Sequence, residues 1–135
     1  KTNLPIGLLT SSLLFALLHL GNPDIGILPI VNIALFGLFA SLYLLRTDNV
    51  WGIIGLHAAW NFSQGNIYGF SVSGTGVDAA VLNFIPKSEW SWLTGGAFGA
   101  EASIFSSFIL LLAVLYLLFR MKKSGSLTGV VGKTQ

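Results

Sequence analysis

The chain has 135 residues, of which 53% are hydrophobic and only 9% are charged, and its mean hydropathy is +0.77. Soluble domains carry about 25% charged residues, so this composition is typical of a membrane protein. The formal net charge of +2 is small and the basic residues are thinly spread, which argues against a nucleic-acid partner. The chain has no cysteine, which excludes disulfides, thiolate nucleophiles and cysteine-based zinc sites.

Four apolar stretches follow one another along the chain, at about residues 4–20, 25–45, 50–70 and 97–119. Each approaches the ~20 residues that a helix needs to cross a hydrocarbon core of ~30 Å. Backbone groups in lipid must be satisfied within their own segment, so these stretches should be helical. The sequence therefore predicts an all-α integral membrane helix bundle of about four spans within residues 1–123, followed by a polar tail at 124–135.

Lysine and arginine placement predicts the orientation of the bundle. Lys1, Arg46 and the basic cluster at 120–123 fall on one side if four spans alternate. Because cytoplasmic loops are enriched in basic residues, we expect a multi-pass protein of the cell membrane with both termini in the cytoplasm. The chain begins with lysine inside a hydrophobic pattern and has no visible signal peptide, so we expect a fragment or a processed product.

Three polar side chains within the apolar stretches could carry chemistry. His19 ends the first stretch, while His57 and Asn61 are four residues apart and share one helix face in the third. Polar side chains are costly against lipid, so we expect the three to converge on one internal cavity. His57 and Asn61 could bind a metal or present hydrogen-bond donors to an oxyanion. The structural alternative is a histidine ring hydrogen-bonded to a neighbouring carbonyl.

Three motifs carry a resemblance to a known family. "FALLH" (15–19) is similar to a Phe-x-x-x-His motif and "HAAWN" (57–61) to a His-x-x-x-Asn motif. "LTGGAFGAEAS" (93–103) resembles a Gly-Gly-x-Phe-Gly-Pro-Glu-Gly segment, with Ala100 and Ala102 where Pro and Gly are common. Together they resemble the CPBP intramembrane proteases, which comprise CAAX prenyl endopeptidases and bacteriocin-processing or immunity (Abi) proteins.

The family's first motif, Glu-Glu-x-x-x-Arg, has no counterpart in this sequence. The only glutamates are Glu89 and Glu101, and both follow the His-x-x-x-Asn motif. The resemblance therefore implies that this chain is the C-terminal portion of a longer parent protein. The N-terminal helices of that parent, which are missing here, would be its partner. We expect this portion alone to be inactive. For Glu101 we expect a structural role, as an acid that complements the helix dipole in the first turn of the last helix.

The resemblance also implies a role for each of the three polar residues. An upstream glutamate with His19 would activate a water, and His57 with Asn61 would stabilise the oxyanion. In an alternative assignment, His19 and His57 ligate a metal such as zinc, although two histidines are fewer than the three protein ligands such sites normally have.

The function that this resemblance implies is an intramembrane endopeptidase acting, within a lipid bilayer, on a peptide or lipidated-protein substrate. Two alternatives stay open. One is a non-catalytic membrane scaffold or bacteriocin-immunity protein of the same fold. The other is a fragment of a transporter or proton pathway, in which His19 and His57 shuttle protons.

Overall fold

The computed structural model describes residues 3–87 and 89–125, so most of the predicted polar tail lies outside the described residues. The α-helices are α1 (Leu4–Leu17), α2 (Ile27–Thr47), α3 (Val50–Phe62), the short α4 (Ser91–Thr94) and α5 (Ile104–Lys123). Across these two described ranges there is no β-strand. The predicted all-α membrane bundle is confirmed in its fold class.

The two longest helices match the second and fourth predicted spans. Both α2 and α5 are long and apolar enough to cross a membrane. The first helix is shorter, since α1 has 14 residues and ends at Leu17 rather than at residue 20. Gly21 and Pro23 follow closely and disfavour helical backbone. His19 therefore lies in the turn after α1, not within the helix.

The third and last helices also differ from the predicted boundaries. The third begins where the Asn49 side chain accepts hydrogen bonds from two backbone N–H groups, and a π-helical turn (Ser63–Ile67) extends it. The last begins at Ile104 rather than at residue 97, because residues 96–102 form two short 3-10 turns. Gly99 in this segment has φ +113°, a backbone conformation that an α-helix cannot contain.

Small residues bring α1 and α2 close together. A Cβ on Gly37 would lie 3.0 Å from the Cα of Ser12, and the hydroxyl of Ser41 donates to that of Ser11 over 3.0 Å. Close backbone approach at small residues is how helices commonly associate in membranes. The two helices run antiparallel, because the end of α1 packs on the beginning of α2.

The helices α2 and α5 run parallel to each other. Near the beginning of α2, Asn32 hydrogen-bonds to Ser103 and Ser107 at the beginning of α5. Near the end of α2, the fully buried Leu42 packs on residues of the second half of α5, namely Val114, Leu117 and Met121. The basic residues that close these two helices therefore lie at the same end of the bundle.

The outer faces of the helices are strongly apolar. On α5 alone, Phe105 and Phe108 are 60% and 61% exposed, and Phe119 is 63% exposed. On α1, Leu9 and Leu13 are similarly exposed. A soluble protein rarely exposes contiguous apolar surface of this extent, whereas lipid chains cover such a surface at no cost. The helices are therefore arranged as in a membrane protein.

Candidate active site

A mainly apolar cavity of about 230 Å³ lies between α1, α2, α3 and α5. Its walls are aliphatic and aromatic side chains, among them Phe15, Phe36 and Phe39. A few polar side chains interrupt this lining, namely His19, Asn32, His57, Asn61, Ser73, Glu101 and Ser106. Apolar walls with a few convergent polar groups are typical of a ligand site.

A second, open depression of about 600 Å³ adjoins this cavity and has a more polar lining. Its lining includes Asn22 from the turn after α1, Asn66 from the end of the third helix and Thr75 from the loop at 71–75. Four residues line both the cavity and the depression, namely His19, His57, Asn61 and Ser73. The three predicted site residues therefore lie together, where an apolar space meets a polar one.

The ring of His19 is oriented by the backbone of the Phe-x-x-x-His motif. Its Nδ1 lies 2.7 Å from the carbonyl oxygen of Phe15, and a carbonyl can only accept, so Nδ1 carries the proton and donates. In the neutral ring, Nε2 then has the free lone pair. The Phe15 ring lies 4.7 Å from the His19 ring and 6.1 Å from the His57 ring. Phe15 is thus in contact with both histidines.

His57 and Asn61 form a pair on one face of α3. The amide nitrogen of Asn61 lies 3.4 Å from Nε2 of His57, so the amide donates when that ring nitrogen is unprotonated. A primary amide has two N–H donors, which leaves the second for another acceptor. The ring of Phe36 from α2 packs on the His57 ring at 5.0 Å between centroids.

Glu101 is not where the sequence predicts it. It precedes Ser103, the N-cap of α5, so it does not lie in the first turn of that helix and the dipole role is wrong. Its Oε1 accepts hydrogen bonds from the backbone N–H of Ser73 over 2.6 Å and from the Ser73 hydroxyl over 2.5 Å. Its Oε2 accepts from the indole N–H of Trp60 over 3.3 Å. The carboxylate lines the same cavity as His57.

Asn32 is a further polar residue of this site that the sequence reasoning missed. It is only 2% exposed, and its amide donates to the carbonyls of Glu101 over 2.7 Å and Ser103 over 3.0 Å. The sequence does indicate Asn32, because an amide side chain inside a predicted membrane span is costly against lipid. The same reasoning had singled out Asn61.

The residues around the two histidines do not fit a zinc centre. In the described part of the chain, no three His, Asp or Glu side chains lie close enough together to hold a metal ion. Zinc sites normally need three or four such ligands. His19 and His57 alone do not make that set.

The fold and this site together define a class, an all-α membrane protein with histidine and amide side chains beside an apolar cavity. Within that class, residues 1–63 match the family model described as Type II CAAX prenyl endopeptidase Rce1-like. This match contains both the Phe-x-x-x-His and the His-x-x-x-Asn motifs and confirms the resemblance that they carry. The match supports a CAAX-protease-like intramembrane endopeptidase in kind. No curated protein and no solved structure matches the chain.

Proposed function

We propose that the protein hydrolyses a peptide bond of a peptide or lipidated-protein substrate within the bilayer, with His19, His57 and Asn61 in the reaction. The observation that supports this most directly is the position of these three residues between the apolar cavity and the polar depression. A lipid chain suits the cavity because its walls are apolar. The depression offers amide and hydroxyl groups that can hydrogen-bond an extended peptide.

The proposed roles follow from the ring and amide orientations. Nε2 of His19 accepts a proton from the attacking water, since Nδ1 is held by the Phe15 carbonyl. When the tetrahedral intermediate collapses and the C–N bond breaks, His19 returns this proton to the departing amine nitrogen. The free N–H of Asn61, with His57 beside it, stabilises the oxyanion that develops on the peptide carbonyl. A carboxylate of the Glu-Glu-x-x-x-Arg motif, which these 135 residues do not contain, would share the general-base role in the parent protein.

We also propose a multi-pass arrangement in the cell membrane with both termini in the cytoplasm. The parallel packing of α2 and α5 supports it, because Arg46 and the basic residues at the end of α5 then lie at one end of the bundle. Basic residues are enriched on the cytoplasmic side.

The test is a cleavage assay on the gene product that contains this sequence, reconstituted in lipid vesicles. The probe is an internally quenched peptide with an S-farnesylated cysteine, compared with the same peptide lacking the lipid. His19→Ala and His57→Ala are each expected to lower kcat about 10²–10⁴-fold. Asn83→Ala, at an exposed loop position outside both spaces, is the control. Full activity in both histidine variants would contradict the proposal.

A further inference from the structure

We propose that Glu101 is a positioning residue of the site, which fixes α3 and the 71–75 loop around the reacting groups through Trp60 and Ser73. This inference rests on the proposed endopeptidase function. It adds to that function a carboxylate other than the three residues His19, His57 and Asn61.

Both carboxylate oxygens of Glu101 are engaged by donors from different parts of the chain. Oε1 receives two hydrogen bonds from Ser73, and Oε2 receives one from Trp60 on α3. Hydrogen bonds to a charged acceptor are stronger than neutral ones. The carboxylate therefore joins the loop to the helix at one point, with its orientation fixed from both sides.

Trp60 lies next to Asn61 in the sequence and three residues after His57, so its indole belongs to the same turns of α3. A hydrogen bond that fixes the indole limits rotation and displacement of this part of the helix. The π-helical turn (Ser63–Ile67) begins directly after it. Because regular hydrogen bonding ends at that turn, an external anchor at Trp60 has more effect there than in the middle of a regular helix.

The loop side of the contact is also unusual. Ser73 has φ +51°, a region that residues with side chains rarely adopt. Conformations of this kind persist where surrounding contacts determine them. Here the backbone N–H and the hydroxyl of Ser73 both donate to Glu101, and Gly74 donates to the carbonyl of Phe98 over 2.8 Å. Ser73 lines both the cavity and the depression, so its position shapes the site.

The base of the Glu101 side chain is itself anchored. Its backbone carbonyl accepts from the buried amide of Asn32 over 2.7 Å. Glu101 thus connects α2 and the beginning of α5 to Trp60. Through Trp60 it holds the part of α3 that carries His57 and Asn61. Since oxyanion contacts form only in the transition state, their misplacement should lower kcat more than it raises KM.

The experiment compares Glu101→Gln, Trp60→Phe and the double variant in the complete gene product. Glutamine keeps the shape of the side chain. Its NH₂ group can only donate, so the side chain cannot accept hydrogen bonds from Ser73 on one side and from Trp60 on the other. Phenylalanine removes the indole N–H and keeps an aromatic ring. We expect Glu101→Gln to lower kcat by about tenfold or more, with KM within about twofold. Both Glu101→Gln and Trp60→Phe affect the hydrogen bond between these two side chains. The double variant should therefore be no slower than Glu101→Gln.

Glu89→Gln is the matched control, since Glu89 is the other glutamate of the chain and lies exposed, outside both spaces. Rates are normalised to the folded fraction, measured by size-exclusion chromatography. An unchanged kcat for folded Glu101→Gln would overturn the inference while His57→Ala could still uphold the proposed function. If Glu101→Gln fails to fold, an unchanged kcat in Trp60→Phe overturns it instead. An inactive wild-type protein would overturn the proposed function and this inference together.

Discussion

The amide of Asn61 is the residue whose chemistry can be tested most directly. One N–H faces Nε2 of His57, and in the proposed role the other donates to the oxyanion. Asn61→Asp preserves the size of the side chain but replaces the amide donors with acceptors. We therefore expect kcat to fall about 10²–10³-fold, as when one oxyanion donor is lost, with KM nearly unchanged. Steady-state kinetics on the lipidated peptide measures both quantities.

The control for Asn61→Asp is Asn83→Asp, which makes the same chemical change at an exposed loop position. It should leave kcat unchanged. Wild-type kcat in Asn61→Asp would show that the amide donor is not used in the reaction, and the role assigned to Asn61 would then be withdrawn.

At this scale, the sequence predicted that three polar side chains, each costly in an apolar segment, would converge on one cavity. His19, His57 and Asn61 interrupt apolar stretches, and the structure brings them to one place. The role of Glu101 could not be predicted in the same way. Its hydrogen-bond partners, Ser73 and Trp60, are 28 and 41 residues away in the sequence, and no local pattern indicates those contacts.

Among the helices, the buried hydrogen bonds of Asn32 connect α2 to the beginning of α5. Asn32→Ala removes three hydrogen bonds and leaves the carbonyls of Glu101 and Ser103 without this donor. An unsatisfied buried polar group costs about 1–3 kcal/mol. We therefore expect a clearly lower midpoint of thermal unfolding in detergent. Ser107→Ala removes the hydroxyl that donates to the Asn32 side-chain oxygen and, over 3.4 Å, to the Ser103 carbonyl. It leaves the amide donors of Asn32 in place and should lower the midpoint less. Equal midpoints for Asn32→Ala and the wild type would contradict this.

The segment before α5 depends on the backbone of Gly99. Its φ is +113°, and a Cβ there would clash with the carbonyl oxygen of Ser71. Gly99→Ala must therefore displace the 71–75 loop or the segment carrying Glu101. We expect a large loss of both thermal stability and activity, measured on the same preparation.

Gly55→Ala is the matched control, because no atom lies within 4 Å of a Cβ at that helical position. Alanine is favoured over glycine in a helix by about 0.5–1 kcal/mol. This variant should be as stable as the wild type or slightly more stable. If both alanine variants behaved alike, close packing at Gly99 would not be the cause.

Gly99 also explains one helix boundary that the sequence did not predict. Hydropathy located the apolar stretches well, and α2 and α5 lie largely within two of them. Hydropathy does not report the backbone conformation, however. The stretch from residue 97 is apolar but contains Gly99, whose positive φ excludes a helix and delays the beginning of α5 to Ile104.

For the whole molecule, the antiparallel packing of neighbouring helices was predictable but the packing between distant segments was not. The order of apolar stretches and short turns predicts antiparallel neighbours, as α1 and α2 are. The parallel contact of α2 with α5 and the docking of the 71–75 loop on residues 98–101 depend on side chains far apart in the sequence. Those contacts complete the site.

The orientation of the bundle in the membrane gives the last prediction. The 21 residues of α2 extend about 31 Å at 1.5 Å per residue, which matches a hydrocarbon core of about 30 Å. Its two ends should therefore lie on opposite sides of the membrane. Because α5 runs parallel to α2, the residues preceding α5 should lie on the same side as the beginning of α2.

This orientation is tested with single cysteines in a background without other cysteines, since this chain has none of its own. Thr47→Cys, beside Arg46, should react with a membrane-impermeant maleimide only from the cytoplasmic side, because basic residues are retained there. Asn22→Cys and Lys87→Cys should react only from the opposite side. Leu112→Cys, on the lipid-facing surface of α5, is the control and should react from neither. Labelling of Thr47→Cys and Asn22→Cys from one side would mean that α2 does not cross the membrane, and the proposed topology would then be wrong.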